Sequence, residues 1–271
     1  FELIDPSYTT ATGETFPISI EENPSSAMYT LTIRPAAGNA ATITGTSGTT
    51  AAALIKLNGT RNVIIDGVNA GGASLTISNT STTGGTAAIW IASKGAGAGA
   101  TNNVIRNLTA AAGVTQNNST TVTYGIVMAG NALNATITSV TAGDDNDNNI
   151  IEGNTVIRAR YGIYVRGGSA ANPGQGNIIR NNIVGPAAFG ADQIGRAGIV
   201  VRDETGIQIV GNEVRFVGGT FTTTTGGADR AGIAITTDAT WAITAPTNVY
   251  MTNSLITDNI IHDIVEERTF A

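Results

Sequence analysis

Arginine side chains recur at fixed positions in this sequence and are its main candidates for chemistry. Arg160, Arg196 and Arg230 each stand three residues before the isoleucine of a Gly-Ile pair. Arg166 and Arg202 each stand three residues after such an isoleucine. A guanidinium forms paired hydrogen bonds with a carboxylate. Arginines repeated in this way would therefore form columns that can bind acidic groups.

Two interpretations of these columns remain open. The arginines could form a solvated face balanced by nearby acids, of which Asp203, Glu204 and Asp229 are candidates. They could instead be a docking face for carboxylates of an acidic glycan or of another subunit. The second interpretation gives a hypothetical ligand or partner face made of Arg160, Tyr164, Arg166, Arg196, Arg202, Arg230, Asp203 and Asp229.

Catalysis has weaker support than binding in the sequence. Glycoside hydrolysis needs two carboxyl groups at a set separation. The strand positions expected to face outward beside the arginines carry no acid, and only Asp203, Glu204 and Asp229 could supply a pair from strand ends. The pattern therefore favours a non-catalytic protein, and no catalytic residue is predicted.

A short polar stretch, GDDNDNN at 143–149, is a candidate for calcium. Asp145, Asp147 and Asn149 have the first three alternate spacings of an EF-hand loop. The loop then departs from that pattern, since the sixth position is not Gly and the twelfth is Val156 rather than Glu. A calcium site and an ordinary polar turn both stay open as interpretations, and no other cofactor is expected.

The composition of the chain restricts its class. The 271 residues include 34 Gly, no Cys and one His, carry a net charge of −6, and are only 13% charged. The absence of Cys excludes disulfides, and the acidic balance argues against binding nucleic acid. No apolar run is long enough to span a membrane. The opening residues FELIDPSY do not form a signal peptide, so a secreted chain would be in mature or trimmed form.

Two apolar motifs repeat along the chain and would position the arginines. The first has central residues Ile55, Ile89, Ile126, Ile163, Ile199 and Ile233, spaced by 34, 37, 37, 36 and 34 residues. The second has register residues Ile65, Ile105, Ile151, Ile179, Ile209 and Ile256. Short strands, turns and loops of variable length, with no helical periodicity, are typical of a β-solenoid.

Alternation along the strands predicts which residues are buried. Ile163 and Val165 should point into the solenoid, as should their counterparts in other coils. Four register isoleucines follow a glycine, and these glycines should lie on the outer face: Gly125, Gly162, Gly198 and Gly232. A further register contains Asn154, Asn182, Asn212 and Asn259, which we expect at turns with side chains bonded from coil to coil.

The motifs GIYV, NIIRNN and NIIEGN resemble coils of right-handed parallel β-helix proteins, the pectate-lyase-like superfamily. Residues 31–45 and 53–67 also resemble the opening coils of large bacterial cell-surface β-helix proteins. The resemblance spans roughly residues 29–265 and implies an all-β, right-handed parallel β-helix of about six to eight coils with inserted loops. It also implies that the outer face of the arginine-bearing sheet is the usual substrate groove, although the fold hosts lyases, hydrolases, adhesins and fibres.

The expected organisation is an N-terminal capping or association segment at 1–28 and a parallel β-helix at 29–271. Solenoid ends need covers because they expose unpaired strand edges, and no cover is apparent after the last motif. We therefore expect a non-catalytic structural or adhesive protein at a bacterial cell surface or outside the cell. It would associate with itself, head to tail or laterally, or belong to a larger surface protein, and it could bind an acidic polysaccharide. The alternative is a polysaccharide lyase or glycoside hydrolase acting on an acidic glycan.

Overall fold

The computed structural model describes residues 1–23, 27–47, 52–115, 121–133, 141–169, 171–219, 230–235 and 250–266. Across these residues, every pairing between strands of neighbouring coils is parallel. The strands form three long sheets, A, B and C, which we name in the order the chain visits them. One passage of the chain through A, then B, then C makes one coil, and eight such coils are stacked in the described part of the protein.

The bounds of the strands follow the coils from first to last. Sheet A contains Glu2–Leu3, Leu31–Pro35, Val63–Asp66, Val104–Arg106, Ile150–Glu152, Ile178–Arg180, Gln208–Val210 and Leu255–Thr257. Sheet B contains Ser7–Tyr8, Ala40–Gly45, Ser74–Asn79, Thr109–Ala111, Thr155–Ile157, Ile183–Val184, Glu213–Val214 and Ile260–Ile261. Sheet C contains Ile18–Glu21, Ala52–Asn58, Thr86–Ala92, Thr123–Ala129, Ala159–Arg166, Ile194–Arg202, Val217–Gly219, Ala231–Ile235 and Ile264–Glu266.

Two smaller elements complete the described structure. A 3₁₀ turn at Thr10–Thr12 joins the first strands of sheets B and C. A fourth sheet, D, contains Gly174–Gln175, Glu204–Thr205 and Met251–Thr252 and lies where the chain passes from sheet C to sheet A. No helix in the described residues is long and apolar enough to cross a membrane.

The predicted registers are confirmed residue by residue. In sheet C, Ile163 pairs with Ile126 on one side and with Ile199 on the other. In sheet A, Ile151 pairs with Ile105 and Ile179. The remaining register isoleucines of both motifs pair in the same order. The two sequence motifs are therefore the strands of sheets C and A.

The core is a stack of aliphatic columns enclosed by the three sheets. Ile163 and Val165 of sheet C point inward, as predicted, and meet Ile179 of sheet A and Val184 of sheet B in one continuous cluster. Each of these side chains is fully buried. Burying an aliphatic side chain of this size contributes roughly 1.5–3 kcal/mol, so the columns supply most of the hydrophobic stabilisation.

The predicted asparagine stack is a continuous hydrogen-bonded ladder between sheets A and B. The backbone N–H and the side-chain Nδ2 of Asn154 both donate to Oδ1 of Asn182, at 3.0 Å each. Asn182 donates in the same way to Asn212, and Asn212 to Asn259. Each Nδ2 also donates to a main-chain carbonyl of the previous coil, such as that of Ile151 for Asn182. These bonds connect polar groups of four successive coils, and three of the four asparagines, Asn154, Asn182 and Asn212, are buried.

A second ladder, between sheets C and A, contains Asn103, Asn149 and Asn177. The residue before a ladder position has a left-handed backbone, with φ of 56° at Asn148, 65° at Gly176 and 53° at Asn181. Glycine and asparagine tolerate this conformation better than other residues. The alternating Asn and Gly at these turns therefore serve two purposes: one residue turns the chain and the next fills the ladder.

Residues 1–23 take part in the stack. Glu2–Leu3 pairs with Leu31–Pro35, Ser7–Tyr8 with Ala40–Gly45, and Ile18–Glu21 with Ala52–Asn58. The segment expected to be an N-terminal cap thus contributes the first coil of all three sheets. Its role in association stays a prediction.

Removing one ladder side chain should destabilise the protein strongly. Asn182→Ala leaves several buried donors and acceptors of neighbouring coils without partners, and each such group costs about 1–3 kcal/mol. We expect a loss of at least about 2 kcal/mol in unfolding free energy, measured by urea denaturation. Gln208→Ala, which removes an exposed amide in the next coil, is the control and should change stability by less than about 0.5 kcal/mol. Equal effects of both substitutions would contradict a stabilising role for the ladder.

Candidate functional site

The glycines of sheet C are not on its outer face, and this prediction was wrong. A Cβ on Gly162 would overlap Cγ1 of the core residue Val184 and would lie 2.6 Å from the carbonyl oxygen of Gly198. The same contact recurs in the neighbouring coil, where Gly125 would meet Val156. The strand therefore bends at this glycine to bring sheet C against sheet B. The alternation of inward and outward side chains is interrupted at this bend.

The break places an additional tyrosine column on the outer face of sheet C. Tyr161 and Tyr124 precede the bend and pack with Tyr164, with ring centroids 5.5–5.8 Å apart. These rings, together with Trp90 and Val127, belong to a cluster of buried residues separate from the core. We call this set of residues outside sheet C the outer cluster.

The outer face of sheet C is therefore covered in its middle coils. In the described residues, Val122 and Leu133, which lie just before and after a strand of the sheet, are fully buried in the outer cluster. Tyr164 is 2% exposed, and burial raises its pKa to about 12. In the coils from Ala53 to Ala234, the face that the resemblance identifies with a substrate groove is thus a second hydrophobic layer.

Two of the predicted arginines lie within this layer. Arg160 is completely buried and Arg196 is 2% exposed, so the interpretation of a solvated face is wrong for both. The guanidinium of Arg160 lies beside the Tyr161 ring, with 5.5 Å between Cζ and the ring centroid. Nη1 of Arg196 donates to Oη of the same tyrosine at 3.2 Å. Burial lowers the pKa of Arg160, and the nearby Arg196 lowers it further.

The other two arginines of these strands form an ion-pair group at the opposite strand ends. Nε of Arg202 donates to Oδ2 of Asp203 at 2.9 Å, and Nε of Arg166 lies 4.0 Å from the same oxygen. Oδ1 of Asp203 accepts from the backbone N–H of Tyr250. Asp203 is therefore the acid that balances this part of the arginine columns, as the solvated-face interpretation expected.

The remaining members of the predicted face are less closely associated. Arg230 is half-buried, and its Nε lies near Gly218. Asp229 lies outside the described residues. The eight residues therefore form at least two separate groups, one buried around Tyr161 and one around Asp203. Their role as a ligand or partner face stays a prediction.

Glu204 has an environment unlike that of its neighbour Asp203. Its side chain is fully buried, Oε2 accepts from Nδ2 of Asn177 at 2.9 Å, and Oε1 has no hydrogen-bond partner in the described residues. Burial raises the pKa of Glu204 to about 8, and the charges of Asp147 and Asp203 add to the rise. Asp203 contacts arginines while Glu204 contacts an asparagine ladder, so the two do not present a pair of carboxyls to one ligand.

The predicted calcium residues are used in contacts between coils. Asp145 accepts from the backbone of Gly97 and from Nδ2 of Asn172, and Asp147 accepts from the backbone of Gln175. Asn149 is a buried member of the second ladder. In the part of the chain that the structure describes, no group of three His, Cys, Asp or Glu side chains is arranged to hold a metal ion. Calcium binding stays a prediction.

These coils define a class of protein, and comparison with known proteins agrees with it. Residues 39–214 match the family described as right handed beta helix region. The chain belongs to this family of right-handed β-helices. The sequence matches no curated protein.

Among solved structures, the chain is similar in fold to PfbA, a surface adhesin of Streptococcus pneumoniae. The identity is 12%, the TM-score is 0.45, and the match covers 94% of this chain. The chain spans 62% of the length of that structure.

Sequence reasoning missed the burial of Arg160 and the position of Glu204 at the end of a ladder. The sequence did contain a signal for the position of Glu204. Ile207 occupies the place in the next coil where the ladder would require another asparagine. Nδ2 of Asn177 then needs a different acceptor, and Glu204 supplies it. The burial of Arg160 depends on the strand bend at Gly162, which simple alternation does not predict.

The raised pKa of Glu204 makes stability depend on pH in a definite direction. Its folded pKa of about 8 lies above the ordinary value of 4.5. The folded state therefore holds a proton that the unfolded state releases. The stability that the protonated Glu204 contributes is fully present below about pH 4.5. It is lost as pH rises to about 8, by up to about 1.4 kcal/mol per pH unit.

Glu204→Gln should remove this dependence, since the amide is neutral and similar in size. Relative to the unmodified chain, the variant should gain unfolding free energy as pH rises from about 5 to about 8, measured by urea denaturation at each pH. Glu152→Gln is the matched control, because Glu152 pairs with Arg180 on the outside of sheet A. If unfolding free energy changed with pH in the same way for Glu204→Gln and the unmodified chain, Glu204 would not be buried in its protonated form.

Proposed function

We propose that this chain is a non-catalytic structural or adhesive element of an extracellular bacterial protein, and that it associates end to end with further copies of itself. The observation that supports this proposal is the apolar surface of the last described coil. Ile256 and Ile261 are 45% and 47% exposed there. Both continue columns that are fully buried one coil earlier, at Ile209 and Val214.

The last coil also presents strand edges. Leu255–Thr257 and Ile260–Ile261 each pair with the preceding coil on one side, and within the described residues nothing pairs with the other side. An unpaired edge can bond another strand. The apolar columns and the open edges together form a surface that fits one more parallel coil.

A second copy offers such a coil at its other end. The strands Glu2–Leu3, Ser7–Tyr8 and Ile18–Glu21 are the first members of the same three sheets and run in the same direction. Phe1 beside them is 76% exposed. Contact between the last coil of one copy and the first coil of another is heterologous, and such contacts produce fibres when they do not close into a ring.

A non-catalytic role is supported by the filling of the outer face of sheet C. The outer cluster occupies the area where a substrate groove was expected. Asp203 is paired with two arginines, and Glu204 is buried against Asn177. The two acids are therefore not arranged as a glycosidase pair, in which both carboxyl groups flank one scissile bond.

The extracellular bacterial location is supported by the resemblance of residues 31–45 and 53–67 to opening coils of bacterial cell-surface proteins. Binding of an acidic polysaccharide has less support. Arg166 and Arg202, which retain some exposure, already pair with Asp203. An acidic glycan would have to compete with that carboxylate.

End-to-end association should depend on the apolar end of the stack. We expect the 271-residue chain to form concentration-dependent oligomers in sedimentation velocity, and Ile256→Lys combined with Ile261→Lys to weaken association at least about tenfold. The lysines would place charges in the interface while remaining at an exposed site of the free chain.

Gln208→Lys adds a charge on an exposed position of sheet A, away from the end, and should leave association unchanged. Circular dichroism would confirm that each variant is folded. A chain that stays monomeric at all concentrations, or a Gln208→Lys variant that dissociates as readily as the double variant, would contradict the proposal.

A further inference from the structure

The outer face of sheet A carries a column of alternating charges. The position after the inward isoleucine holds an acid and an arginine in turn through the first six coils: Glu2, Arg34, Asp66, Arg106, Glu152 and Arg180. Nε of Arg106 donates to Oδ2 of Asp66 at 2.7 Å. Nε of Arg180 donates to Oε2 of Glu152, also at 2.7 Å. We name these six residues the charge column. Neighbouring members attract each other, so the signs along the stack are held in a fixed order.

An apolar stripe lies beside the charge column. The residue before each inward isoleucine also faces outward, and in the third to sixth coils these residues are Ile64, Val104, Ile150 and Ile178. Their side chains are partly exposed and belong to neither of the two clusters of buried residues. An apolar strip bordered by charged side chains has the composition of a docking surface, in which an apolar centre lies within a polar rim.

The charge column is complementary to its own reverse. Its signs run from negative at Glu2 to positive at Arg180, and reading them backwards gives the opposite sign at every position. A second copy whose coils run the other way would therefore offer a counter-charge to each member. The pairs between the copies would be Glu2 with Arg180, Arg34 with Glu152, and Asp66 with Arg106. Among shifts of this arrangement, only one gives all six members an opposite charge.

A single two-fold axis produces these pairs and also matches the apolar stripes. The axis is parallel to the strands of sheet A and passes between the coils of Asp66 and Arg106. Rotation about it keeps each position along the strand, so stripe faces stripe and charge column faces charge column. Ile64 would meet Val104 of the second copy at the centre. A contact in which both copies use the same surface closes at two copies, and complementary charges fix its register.

We propose that the outer face of sheet A binds the same face of a second copy of this chain, with the two stacks antiparallel and the charge columns paired in opposite order. This contact goes beyond the proposed end-to-end association. It uses the side of the stack rather than its ends, it closes at a dimer, and it depends on charge as well as on apolar area. The two kinds of association can therefore fail independently.

The test uses the chain with Ile256→Lys and Ile261→Lys, in which end-to-end association is weakened, so that the side contact is measured by itself. Sedimentation equilibrium should show monomers and dimers and no larger species. Raising sodium chloride from about 50 mM to about 500 mM should weaken the dimer several-fold, because salt screens charges at the surface. Circular dichroism would confirm that each variant is folded.

Charge reversal tests the pairing between the copies. Arg180→Glu places a like charge over Glu2 of the second copy and should weaken dimerisation at least about tenfold, and adding Glu2→Arg should restore it to within about threefold. Within one chain the double variant is worse, since position 2 then repels Arg34 and position 180 repels Glu152. Recovery can therefore come only from contact between copies. Lys94→Glu reverses an exposed cation paired with Glu21, away from sheet A, and should leave dimerisation unchanged.

Spin labels would check the geometry, because the chain has no Cys and a single one can be introduced for labelling. Gln175→Cys and Gln208→Cys are exposed positions one coil apart. The distance between like labels along the stack should be about 10 Å longer for the second, since each coil adds about 4.8 Å in each copy. Equal distances would contradict the antiparallel arrangement. The inference would also be overturned by a chain that stays monomeric, by equal effects of Arg180→Glu and Lys94→Glu, or by failure of Glu2→Arg to restore dimerisation.

Discussion

In this stack of parallel coils, the turns that carry asparagine ladders bring polar backbone groups into a buried position. The asparagine ladders satisfy these groups. Asn182 accepts from the coil before it and donates to the coil after it, and its side chain also reaches the carbonyl of Ile151. A shift of one coil by one residue would remove an asparagine from the ladder and turn the core side chains outward. The ladders and the aliphatic columns thus impose the same register.

This constraint acts only at the turns that carry ladders and leaves the remaining connections free. Asn154 and Asn182 are 28 residues apart, whereas Asn212 and Asn259 are 47 apart, yet both pairs form the same bonds. The additional residues lie in connections beside sheet C or after it. Chain inserted there does not disturb the register, and some of it covers the sheet, as Leu133 does. The outer cluster is therefore a consequence of where the fold tolerates insertion.

Much of the fold could be predicted from sequence because its signal is periodic. The registers of Ile151 and Ile163 follow from spacing alone, since identical residues stack in parallel coils. The outer face could not be predicted, because it depends on a local bend at Gly162 and on loops without a repeat. Alternation placed Arg160 on the outer face, but it contains no information on whether a loop then buries that face. The predicted face lies on sheet C as expected, but Arg160 and Arg196 are buried rather than exposed.

Glu204 and Arg160 show how differently an acid and an arginine respond to burial. The carboxyl of Glu204 can keep its proton, so its pKa of about 8 leaves it neutral over most of the physiological range. It then needs no counter-charge, and one amide of Asn177 is sufficient. The guanidinium of Arg160 has no neutral form available at such pH. A buried carboxyl therefore indicates a dependence of stability on pH, whereas a buried guanidinium keeps its charge over the same range of pH.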